Sequence, residues 1–514
     1  MRAVLRQSAC LRARARQGET KRKVAQRMKK GSLRLMYLGA LCAALLLVGA
    51  LPALADGTGD IGVDEIHFPD ELFREYVAEN ADTDGNGLLS AEEIADVHGI
   101  HVRFHGIQDL TGIEHFTALA YLDCSANSLT SLDVSKNAAL QELNCSSNQL
   151  TELDVSANAA LTALHCDGNL LTSLDVSNNG MLQVLSCAGC GLTSLDVSKN
   201  ALLAELYCAR NQLAALDVSH NGALQVLDCA DCVLTALDVS KNAALQSLDC
   251  YSNQLTELDV AKNAALQSLV CYSNQLTELD VSKNTALSEL NCGDNQLTAL
   301  DVSGNGALVY LNCGSNRLTE LDVSKNAALQ ELSCSGNQLT ALDVTASRAL
   351  VYLECAHNQL TALDVTANGA LRSLYCSDNQ LTALDVTENG ALERLDCGSN
   401  RLMALEVPDD AVYDRLIGGA QSPTAEVAGS ADGTWSMDLA ALVPGWAERV
   451  NNVTVTGAEM DGSVVTWSDG SVQPTVVYHY DTDSGDAWVE LTLIPVEASD
   501  ASDASDADLR HKKP

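Results

Sequence analysis

Between Leu140 and Ala160 the chain reads LQELNCSSNQLTELDVSANAA. One polar residue separates Leu143 from Cys145, the alternation of a half-buried strand. Both point inward, while Glu142, Asn144 and Ser146 point out. Asn148 follows where the chain must turn, and its amide can satisfy main-chain groups that a turn leaves open. From Leu150 the pattern nearly copies itself as L-x-x-L-D-V-S-x-N, so one unit of 21 residues holds two similar halves.

The unit recurs in register. Fourteen cysteines are spaced 21 residues apart, at Cys124, Cys145, Cys166, Cys187, Cys208, Cys229, Cys250, Cys271, Cys292, Cys313, Cys334, Cys355, Cys376 and Cys397. A fixed period of this length marks a solenoid, in which no unit buries its apolar face alone and neighbours supply the core. The first half matches L-x-x-L-x-[L/C]-x-x-N-x-L. On that motif, over about residues 107–407, the chain resembles the exported bacterial leucine-rich-repeat proteins with nested, cysteine-containing units. The resemblance implies a mainly β solenoid of about 14 coils with few helices, used to bind a partner. Leu150, Leu153 and Val155 stand at strand-like offsets, which predicts a second short strand per coil where other leucine-rich repeats carry a helix. At ~4.8 Å per coil the array spans roughly 65 Å.

The cysteines read as core residues rather than disulfide partners, because an inward column of Cys behaves as a small hydrophobe. Cys190 and Cys232 occupy the turn-asparagine column two coils apart, ~9–10 Å, too far to bridge. A column of aspartates runs from Asp133, Asp154 and Asp175 to Asp385. Each carboxylate is expected to accept nearby main-chain or Ser hydrogen bonds, with Lys136, Lys199 and Lys241 offsetting charge. A calcium roll is disfavoured, since such rolls need Gly-rich repeats that this pattern lacks.

Ahead of the repeats, Phe68 to Val77 reads as a short amphipathic helix. DTDGNGLLSAEE, Asp82 to Glu93, then matches every position of the twelve-residue EF-hand loop. The resemblance assigns calcium ligands to Asp82, Asp84 and Asn86, to the Leu88 carbonyl, to a water held by Ser90 and to Glu93, with Gly87 at the sharp bend. A single loop of this kind is expected to hold a structural ion. His98, His101, His105 and His115 cluster nearby. Ile100, Val102 and Phe104 alternate as a strand's inner face, which leaves His101 and His105 outward and ~13 Å apart, too far to share an ion.

Composition separates three modules. All four Phe precede residue 117 and all four Trp follow residue 434, so the middle builds its core from Leu, Val, Ala and Cys. Residues 1–55 read as a signal peptide, a basic stretch to Arg34 followed by an uncharged run from Leu35 to Ala55 that ends in Ala53, Leu54 and Ala55. Met28 is an alternative start, and an uncleaved anchor is the other reading of the run. Cys42 follows Leu41, not a small residue, so no lipoprotein site is expected. Cleavage would remove Cys10 and Cys42 and leave 19 basic and 67 acidic residues, a net charge of −48. Such a chain repels nucleic acid and anionic membranes and favours cationic partners.

The modules are then an EF-hand-like cap at 56–106, the solenoid at 107–407, a C-terminal module at 421–497 and a disordered acidic tail at 498–514. The C-terminal module alternates strand-like runs with turn clusters, which predicts a small β-sandwich, immunoglobulin-like in outline. Its Trp residues suit packing or sugar stacking. No L-P-x-T-G sorting motif follows, so the expected location is secreted or cell surface.

The outward positions of the Cys-bearing strand form the expected binding surface: Tyr121, Glu142, His165, Tyr207, Asp228, Asp249, Glu289, Tyr310, Glu331, Tyr352, Glu354, Tyr375 and Asp396. Arg394 is almost the only cation among them. Tyr beside carboxylates suits a protein or glycan ligand, cationic if protein. The expectation is a monomeric, non-catalytic, adhesin-like protein, with a wall-associated spacer as the alternative. An enzyme with its site in the C-terminal module is a third reading. It is weakened by the lack of a visible nucleophile–base set, since His479 is the only His there before the tail.

Overall fold

A computed structural model describes residues 60–405, 414–430, 433–443, 446–481 and 486–496. The expected signal peptide at 1–55 and the acidic tail at 498–514 lie outside the described residues.

The chain opens with a small cap. β1 (Ile61–Gly62) pairs antiparallel with β2 (Leu88–Leu89), and two helices, α1 (Glu71–Asn80) and α2 (Ala91–Asp96), bracket the acidic loop. Helix α1 starts where it does because Asp70 Oδ1 accepts from the N–H groups of Leu72 and Phe73, donors that a helix start leaves open. The other oxygen of the same carboxylate accepts from Gln108 and Asp109 N–H at 2.8 and 3.2 Å. One side chain therefore caps the helix and pins it to the first coil. Phe73 and Val77, one turn apart on α1, join Phe68, Leu89 and Phe116 in a core continuous with that of the repeats.

That core lies inside one parallel sheet of sixteen strands in sequence order. It runs from β3 (Gly99–His101) through fourteen three-residue strands, β4 (Tyr121–Asp123) to β17 (Arg394–Asp396), and ends at β18 (Arg415–Ile417). Pairing is in register by whole units, Leu143 against Leu164 for example. A fully buried ladder cysteine follows each of β4 to β17. The sheet thus extends one strand beyond the cysteine ladder at each end, with β3 inside the stretch read as cap and β18 beyond residue 407.

The second strand per coil is not formed. Each coil has one strand, and its L-x-x-L-D-V side runs unpaired among the described residues, apart from a lone bridge position near Asp385. The reason is where its N–H groups go. Ser156 N–H bonds to Asp154 Oδ1 and Asn158 N–H to the Val155 carbonyl, so neither reaches the next coil. Coils are joined there by Asn side chains instead: Asn158 Nδ2 donates to the carbonyls of Val134 and Asn137 at 3.0 and 2.9 Å. The Oδ1 atoms of twelve asparagines in this column, Asn137 to Asn389, are buried without a partner, and Ser347 takes the position in one coil.

The asparagine column after the strand is fully used. Asn148 Nδ2 donates to the carbonyls of Cys124 and Cys145, each at 3.0 Å, and its Oδ1 accepts Leu129 N–H at 3.0 Å. Cys190 and Cys232 stand in this column, their thiols on the carbonyls of Cys166 and Cys208 at 3.2 and 3.5 Å. All sixteen described cysteines are free and buried. The residue before each of these turns takes the left-handed conformation, as at Ser147 with φ 58°. Phe104 falls in that column with φ 61°, so its side chain is 71% exposed and not on the inner face expected for it. The alternation of Ile100 and Val102, both buried, ends at the turn.

The C-terminal module has a four-stranded and a three-stranded sheet around one core. The order is β19 (Thr424–Ala428), β25 (Asp486–Val496), β24 (Thr475–Asp481) and β21 (Val450–Thr456) in the first. The second has β20 (Trp435–Asp438), β23 (Val464–Trp467) and β22 (Glu459–Asp461). Two short helices, Leu439–Leu442 and Trp446–Arg449, were not expected. Trp435 and Trp467 stack at 6.3 Å, and Trp446 packs edge-on to the buried Tyr478, so these indoles serve packing. Among the described residues no helix is long and apolar enough to cross a membrane.

Candidate binding face and metal loop

Every strand from β4 to β17 buries its middle Leu, and most of the first and third residues are partly exposed, with exceptions such as the buried Ser268 and Val270. Adjacent coils place equivalent residues ~4.8 Å apart, so sequence columns become surface rows. In the row of first residues, Glu289, Tyr310, Glu331 and Tyr352 are consecutive partners across four strands. Tyr352 donates its hydroxyl to Glu354 Oε2 at 2.9 Å and lies 5.6 Å from the Tyr375 ring. Burial, opposed by a hydrogen bond with Asn312 and reinforced by Glu331, Glu289 and Glu354, pushes the Tyr310 hydroxyl up to about 12. Partial burial, with Glu289 nearby, also raises the Glu331 carboxyl above its ordinary range.

A second group lies earlier in the array. Tyr207, Asp228 and Asp249 are consecutive partners in the row of third residues, and Tyr207 donates to Glu205 Oε2 at 2.8 Å. Sequence reading missed two residues beside them. Tyr251 and Tyr272 sit two positions past the strand row, one coil apart, with ring centroids 4.5 Å apart and planes 6° from parallel. The signal was present as a Tyr directly after the ladder cysteine in two successive units.

The remaining predicted residues stand apart. Tyr121, Glu142 and His165 occupy the first three strands of the ladder, with neutral Val184 and Ser186 after them. Tyr121 packs against His101, with ring centroids 4.6 Å apart and planes tilted by 32°. Asp396 is at the far end, beside Arg394, which is paired with Glu393 and Asp414 at 3.9 and 3.4 Å.

On the unpaired side of the solenoid each aspartate accepts the N–H two residues on, as in Asp133 with Ser135 and Asp385 with Thr387, each at 2.9 Å. Hydrogen bonds from the Ser135 N–H and hydroxyl hold the Asp133 carboxyl below its ordinary range, and the Thr387 hydroxyl and N–H do the same for Asp385.

The acidic loop of the cap is built around inward donors. Asp82 accepts from the N–H groups of Gly85, Asn86 and Gly87, and Gly85 and Gly87 take φ of 71° and 79°. Asn86 Oδ1 accepts Leu88 N–H, while its amide donates to Asp84. Leu88 is held on the β1–β2 pair. Glu93 closes the loop from α2, accepting from Thr83 on one oxygen and from Ser90 on the other. Carboxylate oxygens of Asp82, Asp84 and Glu93 lie within 4.8 Å of one another, the one such grouping of His, Cys, Asp or Glu among the described residues. Hydrogen bonds from Ser90 N–H first, then from Thr83 and Ser90 side chains, lower the Glu93 carboxyl to about 2. Three convergent carboxylates, two from the loop and the third from a glutamate on α2, form an oxygen donor set of the kind a hard divalent cation takes.

A parallel one-strand-per-coil sheet over a buried cysteine column defines a leucine-rich-repeat solenoid with a cysteine ladder. The chain belongs to the internalin J family of such bacterial proteins. The functional domain of internalin J from Listeria monocytogenes, which includes a cysteine ladder, matches with a TM-score of 0.79 and 32% identity, over 86% of this chain and 100% of that one. Against full-length internalin J of Listeria monocytogenes serotype 4b, 70 residues align at 36% identity, which is 14% of this chain and 8% of that protein's length. YopM of Yersinia pestis, a leucine-rich effector, shares the fold at 23% identity, TM-score 0.51, over 68% of this chain and 88% of that one. No protein-family model matches the chain.

Proposed function

We propose that the chain is an exported, non-catalytic bacterial protein that binds a protein or glycan through the strand face of its solenoid. The observation that carries this reading is the alternating row Glu289, Tyr310, Glu331 and Tyr352. A solenoid needs its inward Leu and Cys to fold. Its outward strand positions are under no such demand, and Ser or Asn serves in many coils. A row of half-buried Tyr and Glu costs desolvation without filling the core. Tyr is common at recognition surfaces, where it combines a large apolar body with a polar tip. The acidic charge favours a cationic partner when the partner is a protein. The test is a screen of the protein on immobilised matrix proteins and glycans at two salt concentrations. Saturable binding that weakens with salt supports the reading; its absence favours a wall-associated spacer.

The loop from Asp82 to Glu93 belongs to the same proposal as a calcium site. Asp82, Asp84, Asn86, the Leu88 carbonyl, Ser90 through a water and Glu93 would hold the ion. Calcium would supply positive charge that ties α1 to α2 and so stiffens the end of the solenoid.

A further inference from the structure

A groove of about 270 Å³ lies where the ends of α1 and α2 meet β3. Val77, Ala81, Ile100 and Phe116 line it, and all four are buried, so its floor is apolar. Asn80, Asp96 and His98 line it as well, and all three are exposed. Each of these three keeps an acceptor to spare. Among the described residues no hydrogen bond or ion pair engages the Asp96 carboxylate. Asn80 donates from Nδ2 to the Tyr76 carbonyl at 2.8 Å, which leaves its Oδ1 open. His98 Nδ1 lies 3.2 Å from the Ala118 carbonyl. A carbonyl only accepts, so Nδ1 carries the proton, and Nε2 of the neutral ring is an acceptor. Among the described residues no Lys or Arg lines the groove.

We propose that this groove binds a small primary alkylamine, its ammonium held by Asp96, Asn80 and His98 and its carbon chain laid on the apolar floor. An ammonium offers three N–H donors and no acceptor, which suits a rim of three acceptors of which one is charged. The groove is smaller than the ~300–1,000 Å³ of pockets that take drug-sized ligands, so its occupant is small. An alcohol would leave the Asp96 charge without a counter-charge. A quaternary ammonium carries the charge but has no N–H to donate.

The test titrates n-hexylamine into the full chain by calorimetry, beside 1-hexanol and hexyltrimethylammonium. The last probe keeps chain and charge, so it measures the general attraction of cations to an acidic protein. Hexylamine is expected to bind at least about tenfold tighter than either. Asp96→Asn should bring hexylamine down to the level of the other two. Glu92→Gln removes the same charge from an exposed position of α2 outside the groove and should leave hexylamine binding unchanged. Ala81→Leu should fill the floor and weaken hexylamine and hexanol alike. Thermal melts check folding, and if Ala81→Leu does not fold, Asp96→Asn and the three probes still decide. Equal affinity for hexylamine and hexyltrimethylammonium would overturn the proposal. So would hexylamine binding that survives Asp96→Asn, or no binding of hexylamine in the millimolar range.

Discussion

Gln421 donates from Nε2 to the Cys397 carbonyl at 2.8 Å, as Asn400 does to the Cys376 carbonyl at 3.0 Å. The glutamine continues the asparagine ladder for one further coil, and its Oε1 accepts Leu402 N–H at 3.0 Å. Its main chain then enters the last module, where its carbonyl accepts Glu490 N–H at 2.9 Å. Tyr478 adds a second tie, its hydroxyl donating to the Met403 carbonyl at 2.7 Å. The end of the solenoid core is thereby closed by hydrogen bonds to the module that follows it.

Replacing Gln421 with Ala would leave the Leu402 N–H buried and unpaired and remove the side-chain donor to the Gly418 carbonyl, while the Cys397 carbonyl keeps its bond from Asn400. The expected loss is about 1–3 kcal/mol, felt at the last coil. Amide hydrogen exchange should show Leu402 opening faster, with Leu143 unchanged.

In mid-ladder, Asn253 makes bonds at 3.0 Å to the carbonyls of Cys229 and Cys250 and from Leu234 N–H. Asn253→Ala removes all three and should cost about 2–4 kcal/mol. Asn253→Cys should cost less, because Cys190 and Cys232 already hold the equivalent carbonyls through sulfur. Denaturant melts of the two variants decide the order.

The thiols should be silent in the folded state. Burial pushes Cys145 up to about 12, so little reactive thiolate exists near neutral pH. A thiol reagent should label none of the sixteen described cysteines quickly without denaturant. Cys190 should be the first to react, since a hydrogen bond with Cys166 lowers its pKa while burial raises that of Cys232.

Calcium in the millimolar range should raise the melting temperature, and chelator should reverse the rise. Glu93→Gln should abolish the response. No effect of chelator on the unaltered protein refutes the site. Acid acts on the same residue. The folded Glu93 carboxyl, at about 2, lies below its ordinary value of 4.5. Its contribution is therefore complete above pH 4.5 and is lost as pH falls toward 2. Exchange at the Ser90 amide, which the carboxylate holds, should quicken across that window.

The repeat was legible because its inward residues are set by packing. Leu143, Cys145 and Asn148 each have one place in a coil, and the period gives their neighbours. The unpaired side misled because Asp154 takes the Ser156 N–H and the Asn158 N–H folds back onto the Val155 carbonyl, so neither is offered to a neighbouring strand. Leu and Val spacing alone does not reveal that competition. Phe104 failed because the chain turns at Phe104 itself, whose left-handed conformation ends the alternation. The Tyr251 and Tyr272 stack went unseen because those residues lie past the ladder cysteine, outside the strand positions. A column reading carried through the turn would have paired them.

The strand-face claim is tested most directly by charge reversal on opposite sides of the solenoid. One variant carries Glu289→Lys and Glu331→Lys on the strand face; the other carries Glu152→Lys and Glu320→Lys on the unpaired side, so net charge changes equally. Binding to whichever partner the screen retains is then measured at low salt. The account predicts at least about a tenfold loss for the strand-face variant and little change for the other. Equal losses in both would mean that net charge alone attracts the partner, and no loss in the first would contradict the binding face.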